Sequence, residues 1–317
     1  MAETAANDRI TAAQLNLFDR EGHAVIDGLL DDADLQPVID EIQTEVQTRA
    51  QALVREGKLS RTYDEFGFER QLTMISRETD AVALAIWSGV LSGPAFFNLI
   101  RNEKLLDVAE ALCGPELIAS SVYRLRPKVP GHCNGPVPWH QDSGYFEPYC
   151  DKSLVLTYWI PLVDATRENG CMWVIPGVHK SEALLKHQGR QKKWYLEIPE
   201  SALPPVKPIC VPVRKGGVLL LSNRTPHASF ENTTEVTRWS MDLRYQSAAL
   251  PTNAKISRAP GEAVSGGAVP VACYPPEADF LVRSRLRPGE VVTDPAEFHR
   301  LRSTHVAMPV TGRWAVV

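Results

Sequence analysis

The stretch RWSMDLRYQS, residues 238–247, alternates polar and apolar residues from Arg238 to Gln246. Arg238, Ser240, Asp242, Arg244 and Gln246 fall on one side, and Trp239, Met241, Leu243 and Tyr245 on the other. Successive side chains of a strand point to opposite faces, so this is a strand with one polar and one apolar face. In an open antiparallel sheet the polar face meets water. In a closed roll holding a polar cofactor, the polar face lines the interior and the apolar face packs on outer helices. Periodicity alone leaves both orientations open.

Reading outward, SLVLTYWIPL (153–162), CMWVIPG (171–177) and GVLLLS (217–222) are further strand-like runs separated by turn residues, a texture that holds from about 117 to 247. No helical pattern of crossover length alternates with them, which disfavours a parallel sheet and favours an antiparallel barrel or jelly roll. Before them the chain reads as helical. Thr11 and Gln14 form a capping box, Leu15 and Phe18 give an apolar stripe, and Gly22 ends the helix. HAVIDGLL (23–30) reads as extended. Asp32 is placed to cap a long helix carrying Leu35, Val38, Ile42, Val46 and Leu53, and EKLLDVAEALC (103–113) reads as another, closed by Gly114. The segment 186–210 reads as an insertion between strands. The tail from 248 is rich in Pro and Gly with a short helix near Pro295–Arg302, and it either wraps the core or forms an interface, which leaves a homodimer among the expectations. The expected organisation is one domain over 1–317: a helical scaffold with short strands (1–116), a β core (117–247) and a C-terminal extension (248–317).

Composition narrows the function. A chain of 317 residues with 44% hydrophobic content has enough apolar mass for a full core. A formal net charge of −4 gives no global support for nucleic-acid binding, so a small-molecule substrate is favoured. MAETAANDRI lacks the basic-then-apolar order of a secretory signal, and no run of about 18 apolar residues occurs, so a cytoplasmic protein without a membrane partner is expected. Six cysteines without a C-x-x-C pair fit neither a zinc knuckle nor a thioredoxin motif and read as reduced thiols.

The chemistry centres on WHQD. On a strand His140 and Asp142 project to one side while Gln141 points away, which is what a metal needs from two neighbouring ligands. His227, in SNRTPHASFEN, follows a strongly apolar strand at a turn marked by Pro226 and is the candidate third ligand. Two histidines and one carboxylate on one octahedral face leave three positions open, the arrangement of non-haem Fe(II) oxygenases. Against this, an isolated H-x-D arises often by chance, and a lone histidine more commonly packs or caps. Arg238 offers a planar donor fork suited to a carboxylate. His23, His132, His179, His187, His299 and His305 read as structural or solvated.

As an ordered set, WHQDSGYF (139–146), ENGCMWVIPGVHK (168–180) and PHASFENTTEVTRWSMDLRY (226–245) closely resemble the phytanoyl-CoA dioxygenase family of Fe(II)- and 2-oxoglutarate-dependent oxygenases, and LNLFDREGHAVIDGLLDDADL (15–35) is similar to that family's N-terminus. The resemblance covers about 11–247. It implies a double-stranded β-helix, the jelly-roll core of cupin-like proteins, with His140, Asp142 and His227 as catalytic iron ligands. It implies that Arg238 pairs with the distal carboxylate of 2-oxoglutarate, that Ser229 donates to the same group, and that Trp159 flanks the cosubstrate, with core packing as its alternative. His179 lies in a family motif but is not a ligand there. The implied reaction uses O2, oxidises an unactivated C–H bond of a small molecule and releases succinate and CO2. Related halogenases have a small residue where Asp142 stands, so hydroxylation or another oxidation is favoured over halogenation. The family's basic residue upstream of the H-x-D pair matches either Arg126 or Lys128. Lys186, Arg190, Lys192 and Lys193 read as a solvated basic loop, with recognition of an anionic substrate as the alternative. A cupin-like hydrolase or isomerase without 2-oxoglutarate and a non-catalytic binding barrel are the rival functions.

Overall fold

The computed structural model describes residues 8–121, 123–132, 135–146, 148, 151–189, 195–250, 279–303 and 314–316. Six helices precede the roll or interleave with its first strand: α1 (Ala12–Glu21), α2 (Asp32–Arg55), α3 (Gly67–Ser76), α4 (Ala81–Trp87), α5 (Pro94–Ile100) and α6 (Glu103–Cys113). The Thr11–Gln14 capping box forms, and Gly22 ends α1 in the left-handed region at φ 79°. The long helix is capped one residue earlier than expected. Asp31, not Asp32, is the N-cap, because Asp34 stands at the third helical position and can return the hydrogen bond. Leu35, Val38, Ile42 and Val46 of α2 are buried as the spacing predicts, while Leu53 is half-buried.

The strands are β1 (His23–Ile26), β2 (Leu117–Ser120), β3 (Arg124–Lys128), β4 (Val137–His140), β5 (Val155–Pro161), β6 (Met172–Val174), β7 (Gln188–Gly189), β8 (Leu196–Glu197), β9 (Ile209–Val211), β10 (Val218–Ser222), β11 (His227–Ser229), β12 (Arg238–Ser247), β13 (Asp279–Arg283) and β14 (Ala315–Val316), with α7 (Pro295–Ser303) between the last two. The larger sheet runs β1-β10-β5-β12-β2-β13, with β3 also paired to β12, and the smaller runs β4-β11-β6-β9. Every pairing in these two sheets is antiparallel, and the fold is a jelly roll of the double-stranded β-helix type. Strand β1 from the N-terminal third and β13 from the tail both enter the larger sheet. Within 186–210, β7 and β8 form a short hairpin, and Ile198 donates to the Trp139 carbonyl beside β4.

The two faces of β12 carry opposite chemistry. Tyr158, Ile160, Leu220, Trp239, Met241, Leu243 and Tyr245 belong to one buried cluster with the helices. The polar tips on this face are satisfied by helix or pre-helix carbonyls: Trp239 Nε1 donates to Phe68 O (3.1 Å), Tyr245 Oη to Ile100 O (2.7 Å) and Tyr158 Oη to Leu105 O (2.8 Å). The polar face of β12 therefore turns inward, where Arg238, Ser240, Asp242 and Gln246 are buried. Of the two orientations left open by periodicity, the closed roll is the one adopted.

Candidate active site

His140 ends β4 and His227 begins β11, directly opposite it in the register. Asp142 does not continue the strand as expected. It opens a 3₁₀ turn, Asp142–Tyr145, but Gln141 keeps extended backbone (φ −112°, ψ 134°), so His140 and Asp142 still project together. Gln141 points away, donating to Arg224 O and accepting from Leu185 N. The ligand atoms of His140, Asp142 and His227 all lie within 4.8 Å of one another, and all three residues are buried.

Each ligand is oriented from behind. His140 Nδ1 lies 2.8 Å from Pro138 O and His227 Nδ1 2.9 Å from Thr225 O. A carbonyl only accepts, so both Nδ1 atoms carry hydrogen, and both Nε2 atoms face the centre. Asp142 Oδ2 accepts from Thr157 Oγ1 (2.8 Å) and is paired with Arg244 (Nη2 at 3.1 Å). Its Oδ1 stands 3.7 Å from His140 Nε2 and 3.9 Å from His227 Nε2, too far for hydrogen bonds. Burial alone would raise the Asp142 carboxyl, but Arg244, then the two histidines and Thr157, hold it well below the usual carboxylate range. Burial and then His227 push His140 well below the ordinary histidine value, which keeps its ring neutral. Two imidazole nitrogens and a carboxylate oxygen converging with no hydrogen bonds among them fit a divalent cation.

Behind this centre, Arg238 is 1% exposed, lies over the Trp159 ring (5.2 Å to the centroid), donates Nη1 to Ser240 Oγ, and leaves its buried Nε without a partner. Lys128 Nζ donates to Ser229 Oγ (2.8 Å) and to Phe230 O. Burial, then Arg238 and Arg126, pushes the Lys128 amine down to about 6. Arg126 instead binds Asp242 (2.7 Å), so of the two basic residues it is Lys128 that reaches Ser229. Trp159 lines the cavity beside Arg238 and packs with Leu219 and Leu221 between the sheets. The orphaned guanidinium nitrogen and buried amine fit a carboxylate.

Sequence profiles place residues 18–240 in phytanoyl-CoA dioxygenase (PhyH). The chain belongs to that family. Membership in this family of oxygenases places it among the oxidoreductases, with iron and 2-oxoglutarate as the cofactors of its class. The human peroxisomal phytanoyl-CoA dioxygenase is 23% identical over 254 residues, covering 77% of this chain and 71% of that protein. The Bos taurus phytanoyl-CoA dioxygenase domain-containing protein 1 is 27% identical over 282 residues, covering 76% and 91%. The Oryza sativa subsp. japonica phytanoyl-CoA dioxygenase 1 is 30% identical over 116 residues, covering 37% and 40%. Among solved structures, the apo non-heme monooxygenase ThoJ superposes with a TM-score of 0.54 at 20% identity (91% of this chain, 93% of that one). EctD from S. alaskensis, solved with 2-oxoglutarate and 5-hydroxyectoine, superposes with 0.52 at 20% identity (78% and 80%). These structures share the fold of the family.

Several supporting residues carry no sequence signal of their own. Arg244 sits on the polar face of β12 but nothing in the sequence pairs it with Asp142, and Thr157 lies in a run that reads as plain core. His187, read as structural or solvated, accepts from Gln141 N (3.0 Å) and so braces the backbone between the two neighbouring ligands. His179 contacts Asp19 O (3.0 Å), away from the centre. His132 lies 3.4 Å from Asp80, His23 3.5 Å from Glu21 O and His299 2.9 Å from Ser92 Oγ, all outside the metal cluster. Cys113, Cys171 and Cys210 are free thiols. Cys133, Cys150, Cys273, His305, Arg190, Lys192 and Lys193 lie outside the described residues.

Proposed function

We propose that the protein is an Fe(II)- and 2-oxoglutarate-dependent dioxygenase that oxidises an unactivated C–H bond of a small organic substrate, with release of succinate and CO2. The observation that carries this reading is the junction of two sites in one cavity, three convergent metal-ligand atoms and, behind them, a buried arginine with an orphaned Nε. When bound, Fe(II) and 2-oxoglutarate activate dioxygen at the expense of the oxo acid, which is decarboxylated.

The chain's own part follows from its geometry. His140, Asp142 and His227 present one face to iron and leave the opposite face for other ligands. Arg238 and Lys128, with Ser229, hold the distal carboxylate of 2-oxoglutarate and so fix which way its oxo acid end points. Thr157 and Arg244 keep Asp142 Oδ1 turned to the metal by occupying Oδ2. Trp159, Met172 and Leu221 line the wall and exclude water. Asp142 fills the position that a halide would need, which favours hydroxylation or a related oxidation.

The test has two arms. Anaerobic Fe(II) with 2-oxoglutarate should raise the melting temperature, and His227→Ala should remove that rise. Exposure to oxygen with a metabolite extract should then yield succinate and a compound heavier by one oxygen atom. A protein that neither gains stability nor forms succinate is not this enzyme. Succinate-free turnover of an ester would favour the hydrolase reading.

A further inference from the structure

The polar interior carries more positive charge than the iron and 2-oxoglutarate chemistry uses. Arg124, Arg126 and Lys128 alternate with buried Leu125 and Pro127 on β3 and share the inner face, and β12 adds Arg238 and Arg244. Among the described residues of this wall, Asp142 and Asp242 are the anions. Their partners are already assigned. Asp242 takes Arg126 (2.7 Å), and Asp142 shares itself between Arg244 and the metal position. Arg238 and Lys128 are matched by the distal carboxylate of the cosubstrate.

Arg124 is left over. It stands directly opposite Asp242 in the β3/β12 register, yet its side chain makes no hydrogen bond or ion pair with any described residue. It is half-buried, and burial, then Arg126, Arg244 and Arg302, lowers its pKa to about 10 with Asp242 alone opposing. A partly desolvated guanidinium among three other cations is unfavourable unless a counter-charge arrives. The Tyr195 hydroxyl, bonded to Arg126 and within the field of Arg124, adds a donor at the same end. Lys128 lies four residues away along β3, about 13 Å at strand rise, so this end is separate from the 2-oxoglutarate carboxylate.

We propose that the substrate carries a carboxylate and that Arg124 binds it, next to Arg126 and Tyr195, at the end of the roll opposite Lys128. This rests on the dioxygenase reading, which assigns Arg238 and Lys128 to the cosubstrate, while Asp242 and Asp142 match Arg126 and Arg244. One unmatched cation calls for one negative charge, which a carboxylate supplies through two parallel N–H···O bonds.

The experiment loads the full chain with Mn(II) and N-oxalylglycine, an unreactive 2-oxoglutarate analogue, and then adds acetate, benzoate or inorganic phosphate beside the uncharged acetamide and benzamide. The carboxylates are expected to raise the melting temperature at millimolar concentration while the amides do not. Arg124→Gln should weaken carboxylate binding at least ten-fold, Arg124→Lys should recover part of it, and both should keep the Mn(II)/N-oxalylglycine shift. Equal effects of acids and amides, no effect of either, or a fully responsive Arg124→Gln would overturn the proposal. A response to phosphate alone overturns the carboxylate in favour of a phosphate ester. Loss of the metal and analogue shift in wild type would instead sink the dioxygenase reading, and carboxylates titrated on the unloaded protein then decide the fate of Arg124 separately.

Discussion

Lys128 is an amine held where its charge is unwelcome. Burial and the neighbouring Arg238 and Arg126 bring its pKa to about 6, so at neutral pH the empty site holds it mostly uncharged. A carboxylate arriving beside Ser229 reverses that preference, because an opposite charge within reach favours the protonated form. Binding of 2-oxoglutarate should therefore take up a proton above pH 6. Its dissociation constant should rise with pH by up to about ten-fold per unit until the bound-state pKa is reached. Calorimetry in buffers of different ionisation enthalpy reads the proton directly. Lys128→Arg keeps a charge that does not titrate, so it should abolish the slope while preserving affinity at low pH. A wild-type profile already flat from pH 6 to 8 would remove Lys128 from this role. The same residue shows where sequence reading stops. Ligand chemistry demands His and Asp, so His140, Asp142 and His227 stand out, but Arg126 and Lys128 share one strand face and differ only in partner. Register separates them: Lys128 lies opposite Arg238, and Arg126 opposite Ser240.

At the scale of elements, the junction of α1 with the β10–β11 connection governs His227. Gly22 O accepts from Thr225 Oγ1 (2.6 Å) and Ser222 N (2.9 Å), and Thr225 O in turn orients the His227 ring. A Cβ at Gly22 would lie 2.4 Å from Thr225 Oγ1 and 2.5 Å from His179 Nδ1, on a backbone at φ 79°. Gly22→Ala should lose more than the roughly 1–2 kcal/mol of the left-handed strain alone. It should also weaken Fe(II) binding about ten-fold, as loss of an outer-shell support does. Gly177→Ala is the control, since φ is 77° there but the nearest atom to its Cβ is 3.9 Å away. It should lower the melting temperature without touching iron affinity; equal iron binding by both variants would break the proposed link. Elements with local signals were legible, including β12 over its full length, α1 with its capping box and α6 with its closing glycine. Helices α3, α4 and α5 were not. They are seven to ten residues long and make no side-chain hydrogen bond at their N-caps. At α5 the orphan donors are met from a distance instead, Gly93 N and Ala95 N bonding to Glu41 of α2.

For the whole molecule, the outward face of the larger sheet is hydrophobic, and the helices become part of the core. One cluster runs from Leu35, Ile42 and Leu72 through Phe97 and Leu105 to Met241 and Tyr245, and it extends to Phe280 and Phe298 in the tail. The carbonyls that satisfy Trp239, Tyr245 and Tyr158 also come from this N-terminal third. The apolar face of the sheet is covered from within the chain, and no helix among the described residues is long and apolar enough to cross a membrane. A chain beginning at residue 117 would expose that face together with three unmatched polar tips and would also lose β1 from the edge of the sheet. Such a truncation should be insoluble, or compact without fixed near-ultraviolet ellipticity. In the intact protein, far-ultraviolet ellipticity, dominated by the helices, and tryptophan fluorescence, to which Trp159 and Trp239 of the roll contribute, should change at one temperature, because neither layer keeps its core without the other. Two separated transitions, or a soluble roll from 117 onward that still binds Fe(II), would show that the scaffold is a cover laid over a self-sufficient barrel.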